Sequence, residues 1–524
     1  MPTLNWIGKE KIVNHDREVP FRLLRKNKKY SLGKSENLII EGDNLEALKA
    51  LMPFYYGKIK CIYIDPPYNT GNEKWVYNDR VNSPKIKEWL GKVVGPEGED
   101  LTRHDKWLCM MYPRLKLLYD LLANDGVVFV SIDDNEQSRL KLIMDDIFSA
   151  ENFESFIWKK KGGAGNTEKI IGTLTEYILC YFKKKKAGIF NYRNIEREYK
   201  YKDKISFYNF EGIEKTNKGG YERKTMMFPI IDPKTKTKFY PKKGMRWTAG
   251  KDTIEVLIKE RRIYFDYKKK RVYIIKRPDN YAEAENVFYN LFLDVGSLST
   301  AKDELEKLGF ERELFDTPKP VALIKRILEI ASKKDSIVLD SFAGSGTTAH
   351  AVLDLNKEDG GNRKFILVEL EKNIAKNITA ERVKRVARGY SYKTGKGKAV
   401  KVPGLGGGFE YVELGEPLFN KDGMISESVS FEDMARYVYF TETRTNLEKK
   451  NIEGNYLGEF SGNHHFLLFD GIGKNVLNRK FLKELKGMAG KKKIIYADKC
   501  LLDEEVLEKH QIIFKQIPYA VKVY

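Results

Sequence analysis

The stretch SIVLDSFAGSGTTAH, at residues 336–350, decides the fold of this chain. It reads as a short β-branched strand, a glycine loop and a helix start, an order typical of α/β proteins that bind a ligand beyond a strand end. Gly344 and Gly346 let the backbone approach a ligand closely and adopt dihedrals closed to other residues. Thr347 and Thr348 begin the helix, whose free N–H groups favour an anionic ligand end. We therefore predict a ligand-binding loop here.

The spacing around this loop limits the kind of ligand. The sequence has no GxxxxGK[ST] segment, and GxGxxG is not matched because the third glycine is absent after Gly346. The predicted strand 364–370 carries Glu369 at its end, 369 − 346 = 23 residues after Gly346, an offset at which a carboxylate suits ribose hydroxyls. The pattern favours an adenosine-type ligand without pyrophosphate. A tight structural turn is the alternative for so short a motif.

Predicted strands and helices alternate on both sides of the loop. Residues 37–51 read as a strand, a turn and a helix with Asp43 as its N-cap, and the apolar run 127–133 reads as a buried strand. This alternation predicts an α/β fold with a Rossmann-like, doubly wound and mostly parallel sheet. The predicted regions are an N-terminal arm (1–30), the two parts of the core (31–182 and 301–390), an insert (183–300), a Gly/Lys-rich linker (391–408) and a C-terminal α/β region (409–524).

The composition favours a polyanionic partner. Lys and Arg exceed Asp and Glu by 94 − 74 = 20, which is more than solubility requires. The insert is basic and aromatic, as in PKTKTKFYPKKGMRW (233–247) and RRIYFDYKKKRVYIIKR (261–277). We expect nucleic acid as the partner. A membrane surface is not expected, because we find neither a basic amphipathic helix nor an apolar run long enough to span a bilayer.

The cysteines and the N-terminal residues favour a reduced, cytoplasmic protein. The four cysteines are far apart and form no CxxC pair, so we predict no structural zinc site. Residues 1–18 lack the apolar segment of a secretory signal. The six histidines form no ligand pattern, and His464-His465 is expected in a surface turn. No metal site is expected.

A second loop carries the candidate chemistry. Asp65, Pro66, Pro67 and Tyr68 follow the predicted strand 60–65, and ligands of open α/β sheets bind at such strand ends. Two prolines make the loop rigid. Asp65 and the Pro66 carbonyl can accept the two N–H protons of an exocyclic amine, while Tyr68 can stack on a flat base. The alternative is a rigid turn with an incidental Asp and Tyr.

The two loops together resemble the amino-methyltransferases of DNA in the beta order, where the catalytic motif precedes the target-recognition insert and the cofactor motif follows it. The resemblance covers almost the whole chain. Six segments occur in the expected order: EGDNLEAL (41–48), IDPPYNTG (64–71), DGVVFVSIDD (125–134), TEYILCYFK (175–183), TPKPVALIKRIL (317–328) and LDSFAGSGTT (339–348). Outside the catalytic core, the chain also resembles the Mod subunits of type III restriction–modification systems. This further resemblance lies in residues 5–24, 245–254, 261–266 and 496–519.

The resemblance implies a site-specific DNA methyltransferase that transfers a methyl group from S-adenosyl-L-methionine to N6 of a flipped adenine. Aspartate at the first position of the catalytic motif favours adenine over N4 of cytosine, where serine is usual in the family. Phe342 is expected to pack beside the cofactor adenine, and Lys319-Pro320 to cover the cofactor. The cofactor-binding residues implied are Asp43, Asp65, Lys319, Pro320, Asp340, Phe342, Ala343, Gly344, Ser345, Gly346, Thr347, Thr348 and Glu369.

The basic insert is expected to recognise the DNA target. Its lysines would mostly contact phosphates, and a few Arg, Asn or Gln side chains would read bases. We predict Arg246 and Trp247 as reading residues, with Lys242 and Lys243 as further DNA-binding residues. A solvated charged surface is the alternative for any one of these side chains.

The resemblance to Mod subunits also implies partners. These are double-stranded DNA, a second copy in a homodimer where one copy reads and the other methylates, and a nuclease–helicase (Res-type) subunit docked by residues 409–524. Three alternatives stay open: a solitary or type II amino-methyltransferase, including one that acts on cytosine N4; an RNA or protein methyltransferase; and a catalytically idle DNA-recognition subunit. The basic insert argues against the second, and the intact loops argue against the third.

Overall fold

The computed structural model describes twelve stretches of the chain. They are residues 4–70, 103–163, 171–193, 198–217, 223–280, 287–395, 397–420, 422–448, 454–471, 473–485, 487 and 490–517. Residue 71 of the segment 64–71 and residues 518–519 of the segment 496–519 lie outside this description.

The chain divides into two compact units, and the larger one comprises residues 1–191 and 289–524. A ten-stranded mixed sheet lies at the centre of this larger unit. Neighbouring strands run parallel from the second to the seventh position, and the first and eighth strands run antiparallel to their neighbours. This α/β architecture confirms the predicted fold class. The order across the sheet is Arg22–Lys26, Glu410–Pro417, Leu38–Glu41, Lys364–Glu369, Ile337–Asp340, Ile59–Ile64, Leu122–Ile132, Thr175–Phe182, Phe153–Lys159 and Leu291–Phe292.

The parallel centre of this sheet is buried, as its apolar sequence requires. All six residues of Ile59–Ile64 are buried, which is typical of strands covered by helices on both faces. One hydrophobic cluster joins the sheet to the helices Asn44–Tyr55, Arg103–Leu121 and Gln137–Phe148. Burial of this apolar surface is the main force that fixes the strand ends described below.

The helix Arg103–Leu121 ends where the chain enters the strand Leu122–Ile132. Among the described residues, no helix is both long and apolar enough to cross a membrane. In the stretches given above, the α-helices are Lys9–Ile12, His15–Glu18, Asn44–Tyr55, Arg103–Leu121, Gln137–Phe148, Lys251–Lys259, Leu298–Lys307, Val321–Ala331, Thr347–Asp359, Lys372–Ile374, Ala380–Arg388, Phe431–Thr443, Arg479–Glu484 and Glu504–Lys509, with a π-helical turn at Ala375–Thr379.

Residues 192–288 form a compact unit of their own. The predicted insert, 183–300, extends beyond this unit at both ends. The unit packs around a small core that includes Ile213, Phe239 and Trp247. Its strands form a sheet of Ile263–Asp266, Arg271–Lys276, Phe207–Gly212 and Tyr201–Lys202, and the pairs Ile230–Ile231 with Lys238–Phe239 and Glu214–Thr216 with Met245–Trp247.

The C-terminal residues build a second, smaller sheet. The expectation of a surface turn at His464-His465 is wrong, because both side chains are buried in the strand Asn463–Leu467. Tyr456 and the His464 Nδ1 atom form a hydrogen bond of 2.9 Å, and the His465 ring packs edge-on against Tyr439. The sheet order is Tyr456–Phe460, Asn463–Leu467, Lys492–Ala497 and Ile512–Gln516, and two further pairs are Gly389–Lys393 with Ala399–Pro403 and Val476–Leu477 with Lys499–Cys500.

Candidate active site

The two predicted loops follow neighbouring strands of the central sheet. Ile59–Ile64 and Ile337–Asp340 are hydrogen-bonded in parallel, with Cys61 opposite Val338. Because the carboxyl ends of parallel strands meet at one edge, the loops after Ile64 and after Asp340 lie side by side. This edge is the candidate active site.

The glycine loop is held by a buried carboxylate at its start. Asp340 accepts hydrogen bonds from the Thr348 hydroxyl (2.6 Å) and from the backbone N–H of Phe342 (3.0 Å). Burial raises the pKa of Asp340 to about 7, although both hydrogen bonds oppose the rise. The carboxylate therefore links the two ends of the loop, which closes onto the N-terminus of the helix Thr347–Asp359.

Gly346 is required at the end of this loop for a reason that the sequence did not show. Its φ is +79°, and a Cβ atom there would lie 3.1 Å from Thr379 Cγ2. A side chain at Gly346 would therefore have a strained backbone and a tight contact to Thr379, which would have to shift by a few tenths of an ångström. The sequence predicted the positive φ. It did not show that Thr379, in addition to any bound ligand, limits the space at Gly346.

Glu369 holds the glycine loop directly. It is 1% exposed, and its carboxylate accepts the backbone N–H groups of Gly344 and Glu371, each at 2.9 Å. Burial raises the pKa of Glu369 to about 8, against the effect of these hydrogen bonds. Its contact to ribose hydroxyls stays a prediction.

Asp43 is the N-cap of the helix Asn44–Tyr55, as predicted, and accepts a hydrogen bond from the Leu45 N–H. Arg114 donates to both Asp43 oxygens, at 3.1 and 3.2 Å. The Asn44 amide donates to the Ser341 carbonyl at 2.9 Å, which ties this helix to the glycine loop. Sequence reasoning missed Arg114 and Asn44, because their partners lie far away along the chain.

The Asp65–Tyr68 loop is held at both ends. The Tyr68 hydroxyl donates to Asp65 Oδ1 at 2.8 Å, and Trp107 Nε1 donates to the Pro67 carbonyl at 2.6 Å. Lys319 Nζ donates to Asp65 Oδ2 at 2.6 Å. Each Asp65 oxygen thus has a donor, so Lys319, expected to cover the cofactor, contacts the catalytic motif itself.

Glu176 is the main residue that sequence reasoning missed at this site. It lies in the strand Thr175–Phe182, is 4% exposed, and accepts hydrogen bonds from Tyr68 (3.1 Å) and Lys160 (3.0 Å). Its Oε2 atom is also 3.8 Å from Lys319 Nζ. A lone glutamate in an otherwise apolar strand was the available signal.

Burial and charge act against each other in this cluster. Burial raises the pKa of Asp65; Lys319 opposes the rise, and the charge of Glu176 adds to it. For Lys319, burial lowers the pKa, but Asp65 and Glu176 outweigh that effect and raise it. Lys319 therefore stays charged near neutral pH.

Residues of both loops line one narrow pocket, with a volume of about 20 Å³. Predicted cofactor residues that are not among its lining residues are Asp43, Pro320, Gly346 and Glu369. The half-buried Phe342 ring offers an apolar surface, and the backbone of the glycine loop offers polar groups, so the lining suits an adenosine-type ligand. The lining residues are Tyr63, Asp65, Phe315, Thr317, Pro318, Lys319, Asp340, Phe342, Ala343, Gly344, Ser345, Thr347 and Thr348.

The residues predicted to bind DNA differ in exposure. Lys242 and Lys243 are exposed, and Arg246 is half-buried. Trp247 is 1% exposed and donates its Nε1 hydrogen to the Phe228 carbonyl at 2.7 Å. Trp247 therefore packs the core of the unit 192–288, and its ring has no accessible face in this arrangement.

Separately, no group of three or more His, Cys, Asp or Glu in the described stretches is placed to hold a metal ion.

Residues 59–381 match the family described as DNA methylase, which covers more than half of the chain. The chain belongs to the DNA methylase family. The motifs that carried the resemblance lie within or close to this match, and the resemblance is confirmed.

Three relatives illustrate the similarity. The type III restriction–modification StyLTI Mod subunit of Salmonella typhimurium is 34% identical over 374 residues, 66% of this chain and 54% of that protein. The EcoPI Mod subunit of Escherichia phage P1 is 34% identical over 427 residues, 72% of this chain and 65% of that protein. The type II methyltransferase M.KpnI of Klebsiella pneumoniae is 32% identical over 373 residues, 67% of this chain and 84% of that protein. The chain thus spans less than two thirds of the length of these two Mod subunits.

Proposed function

We propose that this chain is a site-specific DNA methyltransferase that acts on N6 of adenine. The observation that carries the proposal is the convergence of the Asp65–Tyr68 loop and the glycine loop on one pocket at neighbouring strand ends. Membership of the DNA methylase family and similarity to type III Mod subunits support the same activity.

Asp65 is the group that we assign to the target amine. Its carboxylate and the Pro66 carbonyl accept the two amine protons, which frees the nitrogen lone pair, and the same fixed oxygens stabilise the positive charge that develops. The Tyr68 ring stacks on the base. An adenine inside a duplex cannot reach this pocket, so the base is flipped out at a cost of a few kcal/mol.

The pocket is assigned to S-adenosyl-L-methionine, which supplies a methyl group bonded to a positively charged sulfur. Phe342 offers its ring to the adenine, and Glu369 lies behind the loop at the strand end where ribose hydroxyls are expected. Asp340 and Glu369 hold the loop in shape through buried hydrogen bonds. In-line positioning of the amine and the methyl group supplies much of the remaining rate enhancement.

We assign DNA recognition to the predicted insert, 183–300. The exposed Lys242 and Lys243 are candidates for phosphate contacts, and Arg246 is the candidate for base reading. Residues 409–524, apart from the strand Glu410–Pro417 of the central sheet, are assigned to contacts with other subunits. A reduced, cytoplasmic setting fits an enzyme that acts on DNA.

Two assemblies are consistent with the relatives. Similarity to Mod subunits supports a homodimer that works with a Res-type nuclease–helicase subunit. The 84% coverage of M.KpnI supports a second candidate, a type II methyltransferase that works without such a partner. Light scattering should show about twice the monomer mass of 60.8 kDa. A fully active monomer would contradict the dimer and leave the chemistry untouched.

Asp65→Ala and Asp65→Asn test the catalytic assignment. We expect transfer of tritiated methyl groups to unmethylated duplex DNA to fall by at least about 10³-fold, because the amine loses its charged acceptor. Calorimetry should show that Asp65→Asn still binds S-adenosyl-L-methionine, weakened at most by the loss of one group from the pocket lining, and circular dichroism should show an intact fold. Transfer near the wild-type rate in a folded variant would disprove the role of Asp65.

A further inference from the structure

Two carboxylates, those of the half-buried Asp65 and the buried Glu176, share two donors at the active-site edge. The Tyr68 hydroxyl lies 2.8 Å from Asp65 Oδ1 and 3.1 Å from Glu176 Oε2. Lys319 Nζ lies 2.6 Å from Asp65 Oδ2 and 3.8 Å from Glu176 Oε2. Lys160 holds the other oxygen of Glu176 at 3.0 Å. Both donors are therefore bonded to Asp65, and both have a second acceptor within reach.

This arrangement competes with the role assigned to Asp65. Each Asp65 oxygen already accepts one hydrogen bond. Each can accept a second, but the target amine would then share the carboxylate with an ammonium group and a hydroxyl group. Lys319 cannot simply move into water, because its side chain is only 4% exposed. A buried ammonium without a partner would be strongly unfavourable.

We propose that Glu176 is a positioning residue. When the target amine binds to Asp65, Glu176 becomes the hydrogen-bond acceptor for Lys319 and accepts a stronger hydrogen bond from the Tyr68 hydroxyl. The inference rests on the proposed function, in which Asp65 receives the amine. Lys319 needs to move by only about 1 Å to shorten its distance from Glu176 to that of a charged hydrogen bond. Lys160 keeps Glu176 in place during that movement, so the ammonium stays paired throughout.

The charges support this exchange. Asp65 and Glu176 carry two negative charges, and Lys160 and Lys319 carry two positive charges, so the cluster is balanced before and after the movement. Glu176→Gln keeps the size but removes the charge that draws Lys319 away. Lys319 then stays on Asp65 and competes with the amine. Binding of S-adenosyl-L-methionine does not require the exchange and should be unaffected.

The pH profile separates this role from a merely structural one. The groups that face Asp65 are Lys319, Glu176 and Tyr68, with Asp340 and Tyr63 close by. Lys319 lowers the pKa of Asp65 and Glu176 raises it. Glu176→Gln should therefore move the acid limb of the kcat profile to lower pH, whereas Lys319→Met should move it to higher pH.

The experiment compares the full-length wild type with Glu176→Gln, Glu176→Asp and Lys319→Met in methyl transfer to duplex DNA across pH. We expect kcat of Glu176→Gln to fall by about 10- to 100-fold with unchanged cofactor affinity, and Glu176→Asp to recover part of the loss. Asp145→Asn is the matched control, because Asp145 also accepts hydrogen bonds from a lysine and a tyrosine, Lys141 and Tyr181, and none of these three residues lines the pocket between the two loops. Its kcat should equal that of the wild type.

A wild-type kcat in Glu176→Gln, or acid limbs that move in the same direction in Glu176→Gln and Lys319→Met, would overturn the proposal. If Glu176→Gln does not fold, Lys319→Met still tests the proposal. An acid limb of its kcat profile that stays at the wild-type pH would overturn the proposal. Lack of methyl transfer by the wild type would instead refute the proposed function. The two failures are therefore distinguishable.

Discussion

The active-site edge of the central sheet and the unit 192–288 use charged residues in opposite ways. At the sheet edge, Glu176 and Lys319 are buried, Asp65 is half-buried, and both carboxylates lie within ion-pair distance of Lys319. The smaller unit has 25 basic and 14 acidic residues, a net charge of 25 − 14 = 11 in about a fifth of the chain, and its Lys242 and Lys243 are exposed. Buried groups depend on particular neighbours, whereas exposed charges act together through their field.

This comparison predicts where single substitutions matter. In the buried cluster, each side chain fixes the state of the next, so one substitution should have a large and specific effect. On the smaller unit, one charge should matter little, and only its packed residues should be sensitive.

Trp247 and Arg246, neighbours in one short strand, should behave very differently. Trp247→Ala should destabilise the smaller unit by about 3–5 kcal/mol, because it removes a buried ring and leaves the Phe228 carbonyl without its donor. Arg246→Ala should change its stability by less than about 0.5 kcal/mol. Hydrogen exchange of residues 192–288 measures both. Equal protection in the two variants would show that Trp247 is not a core residue.

Glu369 should make stability depend on pH. Its pKa is raised by burial to about 8 from an ordinary value of 4.5, so the folded state holds a proton that the unfolded state releases between these values. Its contribution is fully present below the unfolded pKa and is lost as the pH rises through about 8. Without cofactor, the free energy of unfolding should therefore fall between about pH 5 and pH 8, on the order of 3 kcal/mol.

Urea unfolding at several pH values measures this dependence. Glu369→Gln should flatten it, and the remaining slope should reflect Asp340, whose pKa of about 7 is also raised by burial. An identical slope in the wild type and in Glu369→Gln would place the titrating group elsewhere.

Lys242 and Lys243 should have the smallest effect on chemistry. Replacing both by Gln should weaken DNA binding at low salt by about tenfold and reduce the slope of log K against log salt by up to about 2, with kcat unchanged at saturating DNA. Fluorescence anisotropy across a salt series measures this. Lys491 and Lys492 of the C-terminal region are a matched control pair, and the same loss in both pairs would mean that DNA contact is not local to the smaller unit.

Short motifs at strand ends could be predicted because local sequence decides them. The α/β fold and the positions of Asp65 and the glycine loop follow from strand and helix alternation and from two loops with few possible conformations. Asp43 as an N-cap is equally local. These features need no knowledge of distant partners.

The contacts that complete the site could not be predicted because they join distant parts of the chain. Glu176 meets Tyr68 across 108 positions, and Lys319 meets Asp65 across 254. The burial of Trp247 depends on the core of the smaller unit, and the strand Glu410–Pro417 joins the central sheet from a region predicted to be separate. Local sequence therefore predicts secondary structure, whereas tertiary packing decides which side chains contact one another.

The central claim is that the Asp65–Tyr68 loop and the glycine loop form one site for methylation of adenine N6. The most direct test is to incubate the full chain with unmethylated duplex DNA and S-adenosyl-L-methionine carrying a deuterated methyl group, and to identify the modified nucleosides by mass spectrometry. We expect N6-methyl-2′-deoxyadenosine with the label on the added methyl group. Labelled N4-methyl-2′-deoxycytidine, or no labelled nucleoside from a folded protein that binds both substrates, would contradict it.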